Sequence, residues 1–198
     1  MTNKKIQIAE PTLGEEEWLA LKEPIFSGWV TQGPKVAEFE KMFAEIHDVK
    51  FALAVSSCTT GLHLALVAAG IQQGDEVIVP AFTWVATANV VEYCGAKPIF
   101  VDISLEDFNL NLDNIQSKIT SKTKAIIPVD LFGLCVNIKK LKEMIPENVF
   151  VLEDAACAAG ASFEGASPGC HSDVACFSLH PRKSITTGEG GMLLTNNE

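Results

Sequence analysis

The sequence predicts an α/β protein of three layers, in which a mostly parallel sheet lies between two layers of helices. Two observations predict this fold class. Short, nearly continuous apolar segments alternate with segments of helical periodicity, and strands buried on both faces of a parallel sheet have that apolar pattern. Glycine and proline residues separate the segments along the 198 residues. No internal repeat and no obvious linker interrupts this alternation.

Two helices are predicted before the first strand. The segment from Glu15 to Phe26 begins with acidic residues, which favour a helix N-terminus, and Gly28 ends it. A second helix is predicted from Pro34, which suits a first helical turn, to His47. Alternation then begins: the predicted strands are 51–55, 76–79, 98–101, 125–129, 149–152, 174–179 and 192–195, and the predicted helices between them are 61–69, 83–93, 113–118 and 137–144.

The composition predicts a folded, acidic protein, since 47% of residues are hydrophobic and the net charge is −10. Nucleic-acid partners are disfavoured because phosphate binding needs clustered lysine and arginine. The charged residues after Met1 are followed by no long apolar segment, and the stretch 77–91 is shorter than the ~20 residues of a membrane span. We therefore expect a cytoplasmic location and no membrane partner.

The cysteines predict neither a disulfide framework nor a metal site. They form no CxxC pair and have no histidine at zinc-ligand spacing. Without a secretory segment, reduced thiols are expected. The six residues are Cys58, Cys94, Cys135, Cys157, Cys170 and Cys176.

Candidate site residues follow the predicted strands, because ligands of parallel α/β sheets bind beyond the carboxyl ends of the strands. The polar turn from Ser56 to Thr60 is either an anion site at a helix N-terminus or an ordinary helix cap. Trp84 is either a core residue or a stacking platform. Asp154 either caps the following helix or pairs with a ligand cation, and Lys183 is either a surface charge or an amine nucleophile.

Together these residues match the needs of pyridoxal 5′-phosphate (PLP). The polar turn would bind the phosphate, and the indole of Trp84 would stack on the ring. The Asp154 carboxylate would keep the pyridine nitrogen protonated, and the Lys183 amine would hold the cofactor as a Schiff base.

The same motifs resemble the DegT/DnrJ/EryC1/StrS family of sugar aminotransferases, which are fold type I PLP enzymes. The resemblance covers nearly the whole chain. The motifs that carry it are Gly28-Trp29-Val30-Thr31-Gln32-Gly33-Pro34, Ser56 to Leu66, Pro80 to Asn89, Glu153-Asp154-Ala155-Ala156 and Phe177 to Gly191. The resemblance implies that residues 1–198 are the N-terminal part of a large PLP-binding domain like that of aspartate aminotransferase, with the small C-terminal domain absent.

The resemblance also implies roles for individual residues. Lys183 matches the Schiff-base lysine, Asp154 the partner of the pyridine nitrogen, and Trp84 the stacking aromatic. Thr59, Thr60 and Ser178 match residues that bind the cofactor's phosphate, and Cys157 is a further position expected at the cofactor.

Four further positions are of interest by the same comparison. The segment 28–34 resembles a substrate loop, so Trp29 and Thr31 are expected at the sugar. Cys157 takes the place of a frequent glutamine that reaches the cofactor's phenolic oxygen, and a thiol is a weak hydrogen-bond partner. Cys58 replaces a common glycine, which predicts a turn less free to adopt positive φ. Asp130 replaces a frequent histidine.

The function implied is transfer of an amino group from glutamate or glutamine to a nucleotide-linked keto-sugar, for surface polysaccharide or amino-sugar biosynthesis. A homodimer with its active site at the subunit interface is implied as well. One alternative is keto-sugar dehydration with the same cofactor, although that branch replaces the lysine with histidine and Lys183 argues against it. A second alternative is a truncated or split, non-catalytic fragment that needs a partner chain.

Overall fold

The structure is a computed structural model that describes residues 9–198. One seven-stranded sheet forms its centre. The strands are β1 (Phe51–Val55), β2 (Glu76–Pro80), β3 (Lys97–Val101), β4 (Thr123–Ile126), β5 (Phe150–Asp154), β6 (Val174–Ser178) and β7 (Gly191–Thr195). All seven predicted strands are present: β1 has the predicted bounds, and the ends of the other strands differ by at most three residues.

Six α-helices accompany the sheet in the described part of the chain. They are α1 (Glu15–Ala20), α2 (Lys22–Ser27), α3 (Pro34–Ile46), α4 (Cys58–Ala68), α5 (Ala86–Tyr93) and α6 (Ile138–Met144). Short 3₁₀ turns lie at Leu112–Asn114, Gln116–Lys118 and Leu131–Gly133.

The sheet order is β1-β7-β6-β5-β4-β2-β3. Strands β2, β3, β4, β5 and β6 pair in parallel, whereas β7 is antiparallel to both β6 and β1. Because β1 and β6 both run opposite to β7, β1 has the direction of the other strands. The predicted mostly parallel sheet is therefore confirmed, with β7 as its antiparallel member.

The helices cover both faces of the sheet, as predicted. On one face, Val77 and Val79 of β2 pack in a core with Leu66 of α4 and Val90 of α5. On the other, Ile78 packs with residues near α6. This alternation along β2 follows from the two-residue period of a strand. A third cluster joins α3 to β6 and β7 through Phe43, Phe177 and Met192.

Several predicted boundaries are wrong for local reasons. The helix predicted from Glu15 to Phe26 is two helices that meet at Leu21, although it ends at Gly28 as expected, with φ of 74°. The helix predicted at 113–118 is two 3₁₀ turns, and the helix predicted at 83–93 begins at Ala86. The helix predicted at 61–69 begins three residues earlier, because Ser57 caps it.

Strand β1 differs from its prediction as a buried strand. Leu53 is 54% exposed and Phe51 39% exposed, while Ala52 and Ala54 face the core cluster of α3. The reason is position: β1 is an edge strand of the sheet. An apolar run does not distinguish an edge strand from a central one.

Helices α1 and α2 contain no buried residue. Trp18 is 59% exposed and Phe26 86% exposed, so the apolar side chains of this segment lie at the surface. The N-terminal residues used to predict the absence of a targeting segment, Met1 to Lys5, lie outside the described range. Within that range, none of the helices combines the length and the apolar character that crossing a membrane requires.

Candidate active site

A cavity of about 410 Å³ opens at the carboxyl ends of the parallel strands. Four chain segments bring polar side chains to it: the start of α4, the loop after β2, the turn after β5 and the connection between β6 and β7. Its lining residues are Ser57, Cys58, Thr59, Leu62, Trp84, Ala86, Asp154, Ala156, Ser178, His180, Arg182, Lys183, Glu189 and Gly190.

The start of α4 supplies backbone donors to this cavity. Ser57 Oγ accepts from the Thr60 N–H at 3.1 Å, and Thr60 Oγ1 accepts from the Ser57 N–H at 3.0 Å, a reciprocal capping box. The N–H groups of Cys58 and Thr59 have no acceptor within the helix, since first-turn donors precede the i−4 ladder. Both residues line the cavity, so an anion there meets free donors and the positive helix end.

Cys58 is the first helical residue of α4 and lies outside the set of non-glycine residues with positive φ. The turn therefore accommodates a cysteine without a left-handed backbone at this position. Thr60 is exposed, and its hydroxyl is engaged with Ser57 and with Ser56 Oγ at 3.0 Å. Thr60 therefore caps helix α4 and is not among the residues that line the cavity.

Asp154 ends β5 and is buried on the cavity side of the sheet. Its Oδ2 accepts a hydrogen bond of 2.8 Å from Thr87 Oγ1, and its Oδ1 accepts one of 3.2 Å from the Ala156 N–H. Burial raises the pKa of the Asp154 carboxyl, and these donors and the charge of Lys183 offset part of that rise. A cation in the cavity would stabilise the ionised carboxylate further.

Lys183 is half-buried in the connection between β6 and β7. Its Nζ donates to Cys157 Sγ at 3.1 Å, so the amine lies in the cavity rather than in bulk solvent. The reading of Lys183 as a solvated surface charge is wrong for this reason. The structure brings Lys183 and Cys157 together, although 26 residues separate them in the chain.

Trp84 and Ser178 both line the cavity, but Trp84 is exposed to solvent and Ser178 is buried. Trp84 is 76% exposed and lines the cavity, so its alternative interpretation as a core residue is wrong. Ser178 ends β6, is buried, and also lines the cavity. Its Oγ accepts from the His180 N–H at 3.4 Å.

Three residues singled out in the sequence lie elsewhere. Trp29 and Thr31 line a separate cavity of about 180 Å³ beside α2 and α3, where Trp29 Nε1 donates to Gln32 O at 2.8 Å. Asp130 is fully buried beneath the strand ends, and its Oδ1 accepts from the Val136 N–H at 2.8 Å.

Four residues at this site were given no role from the sequence. Thr87 is fully buried and donates to Asp154; the signal available was a hydroxyl on the apolar face of α5, one turn before Val90 and Val91. The others, His180, Arg182 and Glu189, lie in an irregular connection that has no periodicity from which their direction could be predicted.

Comparison with known proteins gives a family match over nearly all of this chain. The DegT/DnrJ/EryC1/StrS aminotransferase family matches residues 11–198. A GDP-perosamine synthase from Caulobacter vibrioides is 45% identical over 98% of this chain and 53% of its own length. An uncharacterized protein from Methanocaldococcus jannaschii is 46% identical over 95% of this chain and 49% of its own length. The chain thus spans about half the length of the curated relatives it matches.

Solved structures share the fold closely. A Streptococcus pneumoniae protein described as a sugar aminotransferase, solved in a PLP form and a PMP form, has a TM-score of 0.94 and 31% identity. The match to its PMP form covers 98% of this chain and 53% of that one. A GDP-4-keto-6-deoxy-D-mannose-3-dehydratase from E. coli, with bound hydrated PLP, has a TM-score of 0.90 and 31% identity, covering 96% of this chain and 51% of its own.

Proposed function

Because this chain belongs to the DegT/DnrJ/EryC1/StrS aminotransferase family, we propose that it carries the cofactor site of a PLP-dependent aminotransferase acting on a keto-sugar. The observation that carries the proposal is the shared cavity of Lys183, Asp154 and the α4 N-terminus. Glutamate or glutamine is the proposed amino donor. The GDP-perosamine synthases among the relatives favour a nucleotide-linked sugar as acceptor.

The residues present fit the cofactor. The Cys58 and Thr59 N–H groups and the Ser178 hydroxyl would hold its phosphate, which needs donors in a protein of net charge −10. The buried Asp154 carboxylate would accept a hydrogen bond from a protonated ring nitrogen, whose positive charge would stabilise this desolvated group further. The exposed indole of Trp84 offers a face on which an aromatic ring can stack.

When bound, PLP supplies an electron sink for the carbon that gains or loses the amino group. The protein's own contribution is positioning and proton transfer. The Lys183 amine would attach the cofactor and then act as general acid/base at the reacting carbon. Thr87 Oγ1 holds Asp154 in its acceptor role at 2.8 Å.

The test is spectroscopic. The protein that contains this chain is incubated with PLP, and the visible band of lysine-attached cofactor is recorded for the wild type and for Lys183→Ala. Borohydride treatment should add the cofactor mass to the Lys183 peptide. The control is Lys139→Ala, which changes a lysine outside the cavity lining and should keep both signals. A band that survives in Lys183→Ala would contradict the proposal.

Two further measurements address the alternatives. An aminotransferase incubated with glutamate alone should yield 2-oxoglutarate. The E. coli structure makes a keto-sugar dehydratase the second candidate, and that activity is identified by loss of a hydroxyl group from the sugar. A homodimer with the site at its interface is also proposed, supported by the exposed indole of Trp84 at the cavity. Light scattering coupled to size-exclusion chromatography measures that state, and a cofactor-free monomer would support a non-catalytic fragment.

A further inference from the structure

Two carboxyl side chains, Asp130 and Glu153, are buried against each other on the sheet face opposite the proposed site. Their exposed fractions are 0% and 2%. Glu153 directly precedes Asp154 in β5, so the two neighbouring side chains point to opposite faces. The role proposed for this chain above does not use either Asp130 or Glu153.

The donors around the two carboxyls are unequal. Glu153 Oε2 accepts from the Gly169 N–H at 2.8 Å and from Ser172 Oγ at 2.7 Å. Asp130 Oδ1 accepts from the Val136 N–H, whereas Asp130 Oδ2 has no donor among the described residues. Val129 pairs with Asp154 where the ladder continues, so Asp130 and Glu153 both lie on the other face of the sheet, where their charges interact. Two carboxylates contain only acceptors, so a hydrogen bond between them requires a proton on one of them.

The proton belongs on Asp130, which has fewer donors to stabilise its charge. Burial, together with the charge of Glu153, raises the pKa of Asp130 to about 9. Burial also raises the pKa of Glu153, while the donors Ser172 and Gly169 oppose that rise.

The backbone of Asp130 is connected to that of Asp154. The Asp130 N–H donates to Asp154 O at 3.0 Å, and the Asp154 N–H donates to Pro128 O at 2.9 Å. These two bonds continue the β4–β5 ladder past Ile126, where regular pairing ends. Any force that separates Asp130 from Glu153 therefore acts on the backbone that holds Asp154.

We infer that Asp130 and Glu153 share one proton, and that Asp130 is a positioning residue for Asp154. While the proton is present, the pair draws the segment after β4 onto β5. When it is lost, two adjacent buried anions repel each other and the two backbone bonds at Asp154 weaken.

Other titratable groups face the pair from the elements around it. A cavity of about 20 Å³ beside Glu153 is lined by Cys135, Lys139, Glu164 and His171. Cys170 lies in the turn next to His171, and its thiol senses the charge of Glu153. Asp154 adds a repulsive contribution from the strand end.

The proton itself is tested by infrared spectroscopy on the whole protein without added cofactor. The wild type should show the C=O stretch of a protonated carboxylic acid at pH 7, and this band should disappear as the pH passes about 9. Asp130→Asn should lack it between pH 7 and 10, where exposed carboxyl groups are ionised. The control Glu147→Gln, which changes an exposed carboxyl, should keep it. A band that persists in Asp130→Asn would overturn the inference.

Positioning is tested by amide hydrogen exchange at Asp154, expressed as a protection factor. The wild type should lose protection between pH 8 and 10, whereas Asp130→Asn, whose amide can still donate to Glu153, should retain it. Equal pH profiles for the two proteins would show a purely structural role and overturn the inference. Neither readout depends on PLP, so failure of the proposed enzymatic role would leave both results interpretable.

Discussion

Thr87 Oγ1 donates a hydrogen bond of 2.8 Å to Asp154 Oδ2, and both residues are buried. The bond joins the first turn of α5 to the end of β5 and thus fixes the carboxylate across the interface between helix and sheet. Each hydrogen-bond donor to Asp154 stabilises the folded protein, because burying a carboxylate without hydrogen-bond partners costs free energy.

Removal of the Thr87 hydroxyl should destabilise the protein. We expect Thr87→Val to lower the free energy of unfolding at pH 7 by about 1.5–3 kcal/mol, the range for hydrogen bonds to charged groups. The affinity for PLP should fall as well, since the Asp154 carboxylate becomes easier to protonate. Urea denaturation and cofactor titration measure the two effects. Thr87→Ser retains the hydroxyl and should behave like the wild type; equal losses in both variants would contradict the argument.

The Cys157 thiol should be the cofactor-protected cysteine. Cys157 is half-buried, and its Sγ lies 3.1 Å from Lys183 Nζ. Cys58 is buried, and a hydrogen bond with Cys176 together with this burial raises the pKa of the Cys58 thiol. Iodoacetamide should therefore modify Cys157 before Cys58, and added PLP should slow that modification. Peptide mass spectrometry over a time course gives both rates. Cys94 is the C-cap residue of α5, at the end of that helix away from Thr87, and serves as an internal control whose rate PLP should not change.

Glycine at position 191 is required by the close approach of β7 to the start of α4. A Cβ there would lie 2.7 Å from Cys58 N and 2.7 Å from the carbonyl carbon of Ser57. Both atoms are backbone and cannot rotate away, so we expect Gly191→Ala to cost about 1–3 kcal/mol of stability. Cofactor affinity should fall too, because the α4 N-terminus would shift. Thermal unfolding measures the first effect; Gly14→Ala, where a Cβ has 3.7 Å of space and only the helix-cap preference for glycine is lost, should cost less.

Acid should destabilise the protein through His47. This side chain is 2% exposed, stacks on Phe43 at 4.7 Å, and has an unpartnered Nδ1 in the described structure. Burial lowers the pKa of His47 below its ordinary value of 6.5. The unfolded chain therefore binds a proton first, and stability is lost as the pH falls from 6.5 through the lower folded-state value.

A comparison of urea denaturation at pH 5 and pH 7.5 tests this linkage. His47→Leu should lose less stability than the wild type between the two values, since the residue no longer titrates. Phe43→Leu changes the same apolar cluster without a titrating group, so it should be weaker at both pH values by the same amount. A wild-type pH dependence in His47→Leu would refute the assignment to His47.

Much of the fold follows from the sequence because its determinants are local. Apolar runs and turn residues identify all seven strands, and Asp154 and Lys183 are found because each follows a strand. The pairing order is not local: β1 joins the sheet through β7, 136 or more residues away along the chain. For the same reason sequence periodicity could not show that β1 is an edge strand with Leu53 exposed.

The candidate site divides in a similar way. The α4 cap, the end of β5 and the lysine after β6 are read from their positions relative to strands. The contacts of Thr87 with Asp154 and of Cys157 with Lys183 join segments 67 and 26 residues apart, and they depend on how α5 and the connection after β6 pack. Asp130 was noted in the sequence, but its pairing with Glu153 needs the tertiary structure.

The antiparallel position of β7 has a consequence for the order of folding. Each of the parallel strands β2 to β6 can pair with a neighbour already synthesised once β6 has emerged from the ribosome, but β1 has to wait for β7. Until residues 191–195 are made, β1 stays without its hydrogen-bonded neighbour, and the Lys183 connection is held at one end only. Long-range pairing of this kind is slow. Among these seven strands, the lysine proposed as catalytic therefore reaches its place only when β7 pairs with both β1 and β6.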